Sequence, residues 1–222
     1  MGKIRQGIFG PVEGKVDNLV GASWNGIHYL RSLGHPHIPD SEKQKTSQGK
    51  FSAIRKMGHY LKDELLDPIW KTAAQNNQMT SVNLFQRVNH DAFDSEGKIS
   101  DFSLLKMSPR DLGAKEIPGR PQCLQAFKDP DRENHIIIRW DYDRQLGVVK
   151  DNDILHVIVI DEEEIYFAEN INAKRVDKAI SLNIPNENKL INLYVFFSDN
   201  TKTKYSESVY QFVNMDNEPI NN

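Results

Sequence analysis

Chemistry in this chain has to come from seven histidines, one cysteine and scattered carboxylates. His35 and His37, in an extended His-Pro-His segment, form the pair spaced to share a metal ion. A structural zinc site needs four ligands, and no cysteine or second histidine pair stands at the usual spacing, so no metal or cofactor is expected. His156 lies among aliphatic residues and reads as a satisfied core or cross-strand residue rather than a catalyst. Cys123 would act as a nucleophile only with a lowered pKa and an oriented base. It opens a strand without any supporting signature, so a buried or half-buried structural cysteine is expected.

The carboxylates give no stronger signal. Asp91–Ile99 has a calcium-loop look, but with Gly97 at the sixth position the first falls on Ala92 and the twelfth on Ser103. Both essential carboxylates are then missing, and Asp94-Ser95-Glu96-Gly97 reads as a turn. Asp161-Glu162-Glu163-Glu164, with Asp151 and Asp153 at the other end of the same strand, would at most hold Ca²⁺ at a sandwich rim. The plainer reading is a solvated acidic turn that guards an edge strand. No Gly-x-Ser-x-Gly elbow, phosphate loop or dinucleotide fingerprint is present. No catalytic residue is assigned, and an enzyme is not expected.

Lys3, Arg5, Lys15 and Arg31 lie near Trp24 and Tyr29 in the N-terminal stretch. Cations beside aromatics can hold nucleic acid through phosphates and stacking. Glu13 and Asp17 offset them and the chain's formal charge is −3, which argues against a nucleic-acid partner. The charge is split: residues 1–119 carry 16 Lys and Arg against 13 Asp and Glu, residues 120–222 carry 12 against 18, so the halves are +3 and −6. Two ordinary solvated surfaces explain this, and head-to-tail contact between copies is the sharper alternative.

The elements around these residues fall into segments. Residues 1–37 form a Gly-rich β-hairpin arm, in which Ile4, Ile8, Val12, Val16, Val20 and Trp24 alternate with polar residues. Asn25-Gly26 between Leu19–Trp24 and Ile27–Arg31 is a strong type I′ hairpin signal. Residues 38–119 form a helical and mixed segment. Phe51, Ile54, Met57, Gly58 and Leu61 predict a helix over 43–62, continued through Leu65, Leu66, Ile69, Trp70 and Ala73 with a kink or restart at Pro68. Another helix is expected over 80–93, then a short strand after Phe102, Leu104 and Lys106, then a linker over 108–121 rich in Pro and Gly. Residues 120–215 alternate as short strands, of which Ile154–Ile160 is apolar on both faces, and 216–222 are a tail. One cysteine excludes an intramolecular disulfide, and no signal peptide or membrane-spanning run is visible. The expectation is cytoplasmic synthesis without a membrane span, followed by incorporation into a particle.

The strand bearing Trp140, the stretch Leu182–Tyr194 and the closing Tyr205-Ser206-Glu207-Ser208 resemble a fibronectin type III domain. The resemblance implies a β-sandwich with Trp140 packing its core and Tyr194 buttressing a corner. Gly2-Lys3-Ile4-Arg5-Gln6-Gly7-Ile8, Gly14-Lys15-Val16, Val20-Gly21, Trp24-Asn25-Gly26 and Ile27-x-x-Leu30-Arg31-Ser32 resemble an uncharacterised Bacteroidota family of similar length. Its members have a Gly-rich arm, a helix and a C-terminal sandwich. That family often carries Asn-Pro-Arg-Thr before the helix, where this chain reads His35-Pro36-His37-Ile38-Pro39-Asp40. The layout is also similar to phage and prophage virion proteins.

The expected fold is therefore α+β, mainly β: a hairpin arm and a short helical segment before an Ig/fibronectin III-like sandwich. The expected function is a non-enzymatic structural or assembly protein of a phage-like particle, with itself or other particle subunits as partners and no small-molecule substrate. Its contact residues would be Lys3, Ile4, Arg5, Ile8, Lys15, Val16, Trp24, Ile27, Tyr29 and Arg31. The alternative is a carbohydrate- or surface-binding sandwich using Tyr142, Tyr166, Phe167 or Tyr210.

Overall fold

The computed structural model describes residues 3–4, 10–24, 26–34, 41–109, 117–142, 150–161, 165–168, 171–184 and 190–216. The chain divides into two compact units, Met1–Lys45 and Thr46–Asn222.

In the first unit β1 (Lys3–Ile4), β2 (Val12–Val16), β3 (Leu19–Trp24) and β4 (Ile27–Ser32) form an antiparallel meander in chain order. The expected hairpin is present: Trp24 pairs with Ile27, and Gly26 takes φ +82°, which a type I′ turn requires. A second tight turn, at Asp17-Asn18, was not anticipated; Val16 pairs with Leu19 and Asp17 takes φ +52°. Gly21 is required by close approach, because a side chain there would strike the Val12 carbonyl.

The second unit has three layers. Strands β5 (Gln122–Lys128), β6 (His135–Asp141) and β9 (Ala179–Asn183) form one sheet in the order β5-β6-β9. Strands β7 (Ile154–Ile160), β8 (Ile165–Phe167), β10 (Leu190–Ser198) and β11 (Val209–Asn214) form the other, in the order β11-β10-β7-β8. This division of seven antiparallel strands is that of a fibronectin III-like sandwich. Between the sheets lie Trp140, Ile136, Ile138, Leu155, Val157, Val159, Leu193, Val195 and Phe197.

The opposite face of the four-stranded sheet is also covered. There Ile158, Ile160, Tyr194 and Phe196 pack against helices. The helices are α1 (Glu42–Tyr60), a π-helical segment (Lys62–Trp70), α2 (Lys71–Asn76) and α3 (Ser81–Asn89). They contribute Ile54, Leu65, Leu66, Trp70, Ala74 and Phe85 to this second core. Ser41 Oγ accepts from the Gln44 amide and Gln44 Oε1 from the Ser41 amide, a capping box that starts α1. Thr80 Oγ1 accepts from the Asn83 amide and starts α3. At Pro68 the chain continues as a π-helix, with Leu66 N donating to Leu61 O, rather than breaking.

Three expectations are corrected. The boundary at 119 does not separate two bodies, since the helices share a core with β7 and β10 inside one unit. The first residues of the supposed linker are built in: Ser108 is fully buried and donates to the Ser206 carbonyl, and Ser208 Oγ accepts from the Met107 amide. No strand forms over 102–109, where a turn at Phe102–Leu104 and a bend at Met107–Ser108 run instead. The Asn89 side chain occupies the neighbouring-strand role there, accepting from Lys106 N and donating to Lys106 O.

Candidate functional site

Among the described residues, His156, Ser198, Asp153 and Arg175 are tied into internal contacts. His156 Nε2 lies 2.8 Å from Ser198 Oγ, superficially a base and nucleophile. Ser198 Oγ also lies 3.0 Å from the Asp199 carbonyl, an acceptor that competes with His156 for its single proton. Ser198 is fully buried, so no substrate reaches its hydroxyl without rearrangement. Burial against Phe196 and Tyr205 pushes the His156 pKa down to about 4, with Lys202 adding to the shift.

Cys123 is exposed, not buried, because the register of β5 slips between Gln122 and Gln125 and Cys123 adopts φ +47°. A hydrogen bond and negative charge from Asp141 push its thiol pKa up, which disfavours the thiolate. Asp153 is withdrawn from any rim site by Arg175, whose Nε lies 2.9 Å away. Asp161 is buried, and Glu162, Glu163 and Glu164 lie outside the described residues, as do His35 and His37. Asp94 accepts from the Glu96 and Lys98 amides, as the turn reading expects. Among the described residues no group of three metal-ligating side chains converges.

Of the aromatic candidates, Tyr210 is half-buried and donates to Asn192 Oδ1 at 2.9 Å, so it is not a free platform. Tyr142 is half-buried, and the side chains of Tyr166 and Phe167 lie outside the description.

Trp140 and Tyr194 are both buried, in different cores. Trp140 packs edge-on to Phe197 between the sheets and donates to the Arg175 carbonyl. Tyr194 points the other way, toward the helices, and its hydroxyl donates to the Phe102 carbonyl. Its role is to join the helical layer to the sheet, not to brace a sandwich corner. Burial pushes its phenol pKa up.

What remains is the sheet of the first unit. Directly paired residues share a face. One face carries Trp24, Ile27, Tyr29 and Arg31, with Lys15 and Arg31 both opposite Val20. The other carries Val16, Leu19, Ser23, His28 and Leu30. Large apolar groups are open on both: Trp24 is 43% exposed and Ile27 56% on the first, Leu19 45% and Leu30 57% on the second. Among the described residues of β1–β4, Gly21 alone is buried. Lys3 is paired in register with Glu13 and Ile4 with Val12, while Arg5 and Ile8 lie outside the described residues. Leu19 and Leu30 were missed as contact candidates. Their signal was the alternation itself, which gives β4 an apolar residue on each face.

No protein-family profile and no curated protein matches the chain. Among solved structures, the chain is similar to "FN3tt", at 11% identity over 45% of this chain and 97% of that one, with a TM-score of 0.32. It is also similar to the Clostridium perfringens spore cortex lytic enzyme SleM, at 16% identity over 53% of this chain and 31% of that one, with a TM-score of 0.28. Among the described residues no helix is long and apolar enough to cross a membrane.

Proposed function

We propose that this protein is a non-enzymatic assembly protein, a component of a phage or phage-like particle, and that its N-terminal sheet is the element that contacts neighbouring subunits. The observation that carries the reading is the sheet β1–β4, whose two faces both expose large apolar side chains. A small sheet without a covered face is marginal in water. Covering side chains such as Ile27 and Leu30 contributes on the order of 1 kcal/mol each. The second unit has two cores of buried apolar residues, and its exposed large apolar side chains, such as Phe51, Tyr60, Leu104 and Phe212, are scattered over α1, the turn at Leu104 and β11. The particle setting rests on the layout of arm, helix and sandwich.

The test is the native mass by light scattering of the full chain and of a chain beginning at Ser41, which retains the capping box and both cores. Association of the full chain that disappears on truncation supports the reading. Two monomers across the accessible concentration range overturn it.

A further inference from the structure

Among the described residues β4 is an edge of its sheet, and that edge has a defined polarity. Leu33 N donates to Asn18 O at 2.7 Å, in phase with the pairing of Trp24 with Ile27. Hydrogen bonding alternates along an antiparallel strand, so Ile27, Tyr29, Arg31 and Leu33 turn their backbone toward β3. His28, Leu30 and Ser32 turn theirs outward. This edge lacks the usual protections against pairing. Ile27–Ser32 contains no proline, glycine or bulge, and Arg31 is its one formal charge. Three of the other edges are blunted, since β1 has two residues, β8 has three and β5 is bulged at Cys123; β9 and β11 are uncharged edges of five and six residues.

Building on the assembly reading above, we propose that the β4 edge pairs with the same edge of a second copy of the chain, antiparallel about a two-fold axis at Leu30. Two four-stranded sheets then become one of about eight strands, within the ordinary range of sheet sizes. A two-fold axis normal to a sheet keeps each face with itself, so residues of like parity must oppose one another. Centring on Leu30 sets His28 against the partner's Ser32 and Leu30 against the partner's Leu30. Every outward amide and carbonyl of His28, Leu30 and Ser32 is then used. The same register sets Arg31 against the partner's Tyr29 on each side of the axis, a cation over an aromatic face. Centring on Tyr29 would leave Ser32 opposite the Gly26 turn and set Arg31 against Ile27, which satisfies neither backbone nor charge as well. The strand is thus complementary to itself in length, register and charge placement.

The experiment uses the full chain in a Cys123→Ser background, which removes the native exposed thiol. In the Leu30→Cys variant the paired Cα atoms would stand about 5.5 Å apart, within disulfide reach. In the Ile27→Cys variant the two thiols would lie opposite the partner's Leu33 positions and far from each other. Under mild oxidation, read on non-reducing gels, Leu30→Cys is expected to form the covalent dimer at least about tenfold faster than Ile27→Cys. Equal rates, or no dimer, overturn the pairing. A Leu30→Pro chain removes an outward amide without touching the bonds to β3, and its native mass should fall to the monomer. If the unmodified chain associates and Leu30→Pro associates equally, the edge pairing fails while the assembly reading stands. If the unmodified chain is monomeric throughout, both fail.

Discussion

Arg175 Nε lies 2.9 Å from Asp153 Oδ2 at the end of the sandwich core, with each side chain only 2% exposed. The same guanidinium stacks over the Phe197 ring at 3.7 Å and donates to the Gly119 carbonyl. Trp140 donates to the Arg175 backbone, so one buried cation ties together β6, β7, β10 and the segment entering β5. Burial pulls the Arg175 pKa below its usual value, and the Asp153 charge opposes that pull. Removing one partner strands the other charge in the core, a loss of roughly 3–5 kcal/mol. Asp153→Ala is therefore expected to lower the denaturant midpoint severely. Asp153→Leu combined with Arg175→Met should recover much of the loss, since no lone charge remains. A single variant with an unchanged midpoint would show that the pair is not buried in solution.

The second prediction concerns acid. The folded-state pKa of His156 is about 4 against an ordinary value of 6.5, so the unfolded chain binds the proton first as pH falls. Stability from this residue is complete above pH 6.5 and lost between pH 6.5 and 4, by at most roughly 1.4 kcal/mol per pH unit. His156→Gln should flatten the stability profile in that window. Chemical denaturation at pH 7, 6, 5 and 4.5 measures it; parallel curves for the two proteins would refute the assignment.

The parts of this fold legible in the sequence are those set by local pattern. Ile154–Ile160 reads as apolar on both faces, and β7 lies between two cores. Asn25-Gly26 between alternating runs gives the β3–β4 hairpin. The parts that were not legible depend on distant partners. Lys174-Arg175-Val176-Asp177 looks like a surface turn, and only the folded chain brings Asp153 and Phe197 to Arg175. Pro109, Pro118 and Pro121 make 108–121 look like a linker, yet Ser108 is held by Ser206 and Ser208 nearly a hundred positions away. Cys123 was expected buried or half-buried because no signature of a reactive thiol surrounds it, and the bulge that turns it outward leaves no local signature. In the N-terminal sheet, the exposed apolar residues were legible by type, while the outward backbone set His28, Leu30 and Ser32 required the register.

A third prediction follows from the bond between Tyr194 and the Phe102 carbonyl, 2.8 Å long and reaching from the sheet to the helical layer. Tyr194→Phe removes the donor and leaves a carbonyl without it, at a cost of about 1–3 kcal/mol. Because the helices and sandwich share one core, the second unit should still unfold in a single step. Far-ultraviolet circular dichroism and tryptophan fluorescence should report the same lowered midpoint. Separate transitions for the two probes would mean that the helical layer melts independently.

The last prediction turns on Cys123. An exposed thiol ordinarily reacts quickly with alkylating reagents, in proportion to its thiolate fraction. Here the Asp141 carboxylate accepts a hydrogen bond from the thiol and repels the thiolate, so the pKa is raised although the residue is exposed. Cys123 should therefore alkylate more slowly at pH 7.5 than a free cysteine, and Asp141→Asn should accelerate it several-fold without changing the melting temperature by more than a degree or so. The rate should climb with pH in both proteins, with the midpoint shifted down in the variant. Stopped-flow labelling across pH 7–10 resolves the two curves. If they coincide, the carboxylate is not in contact with the sulfur, and the bulge at Cys123 presents the thiol away from β6.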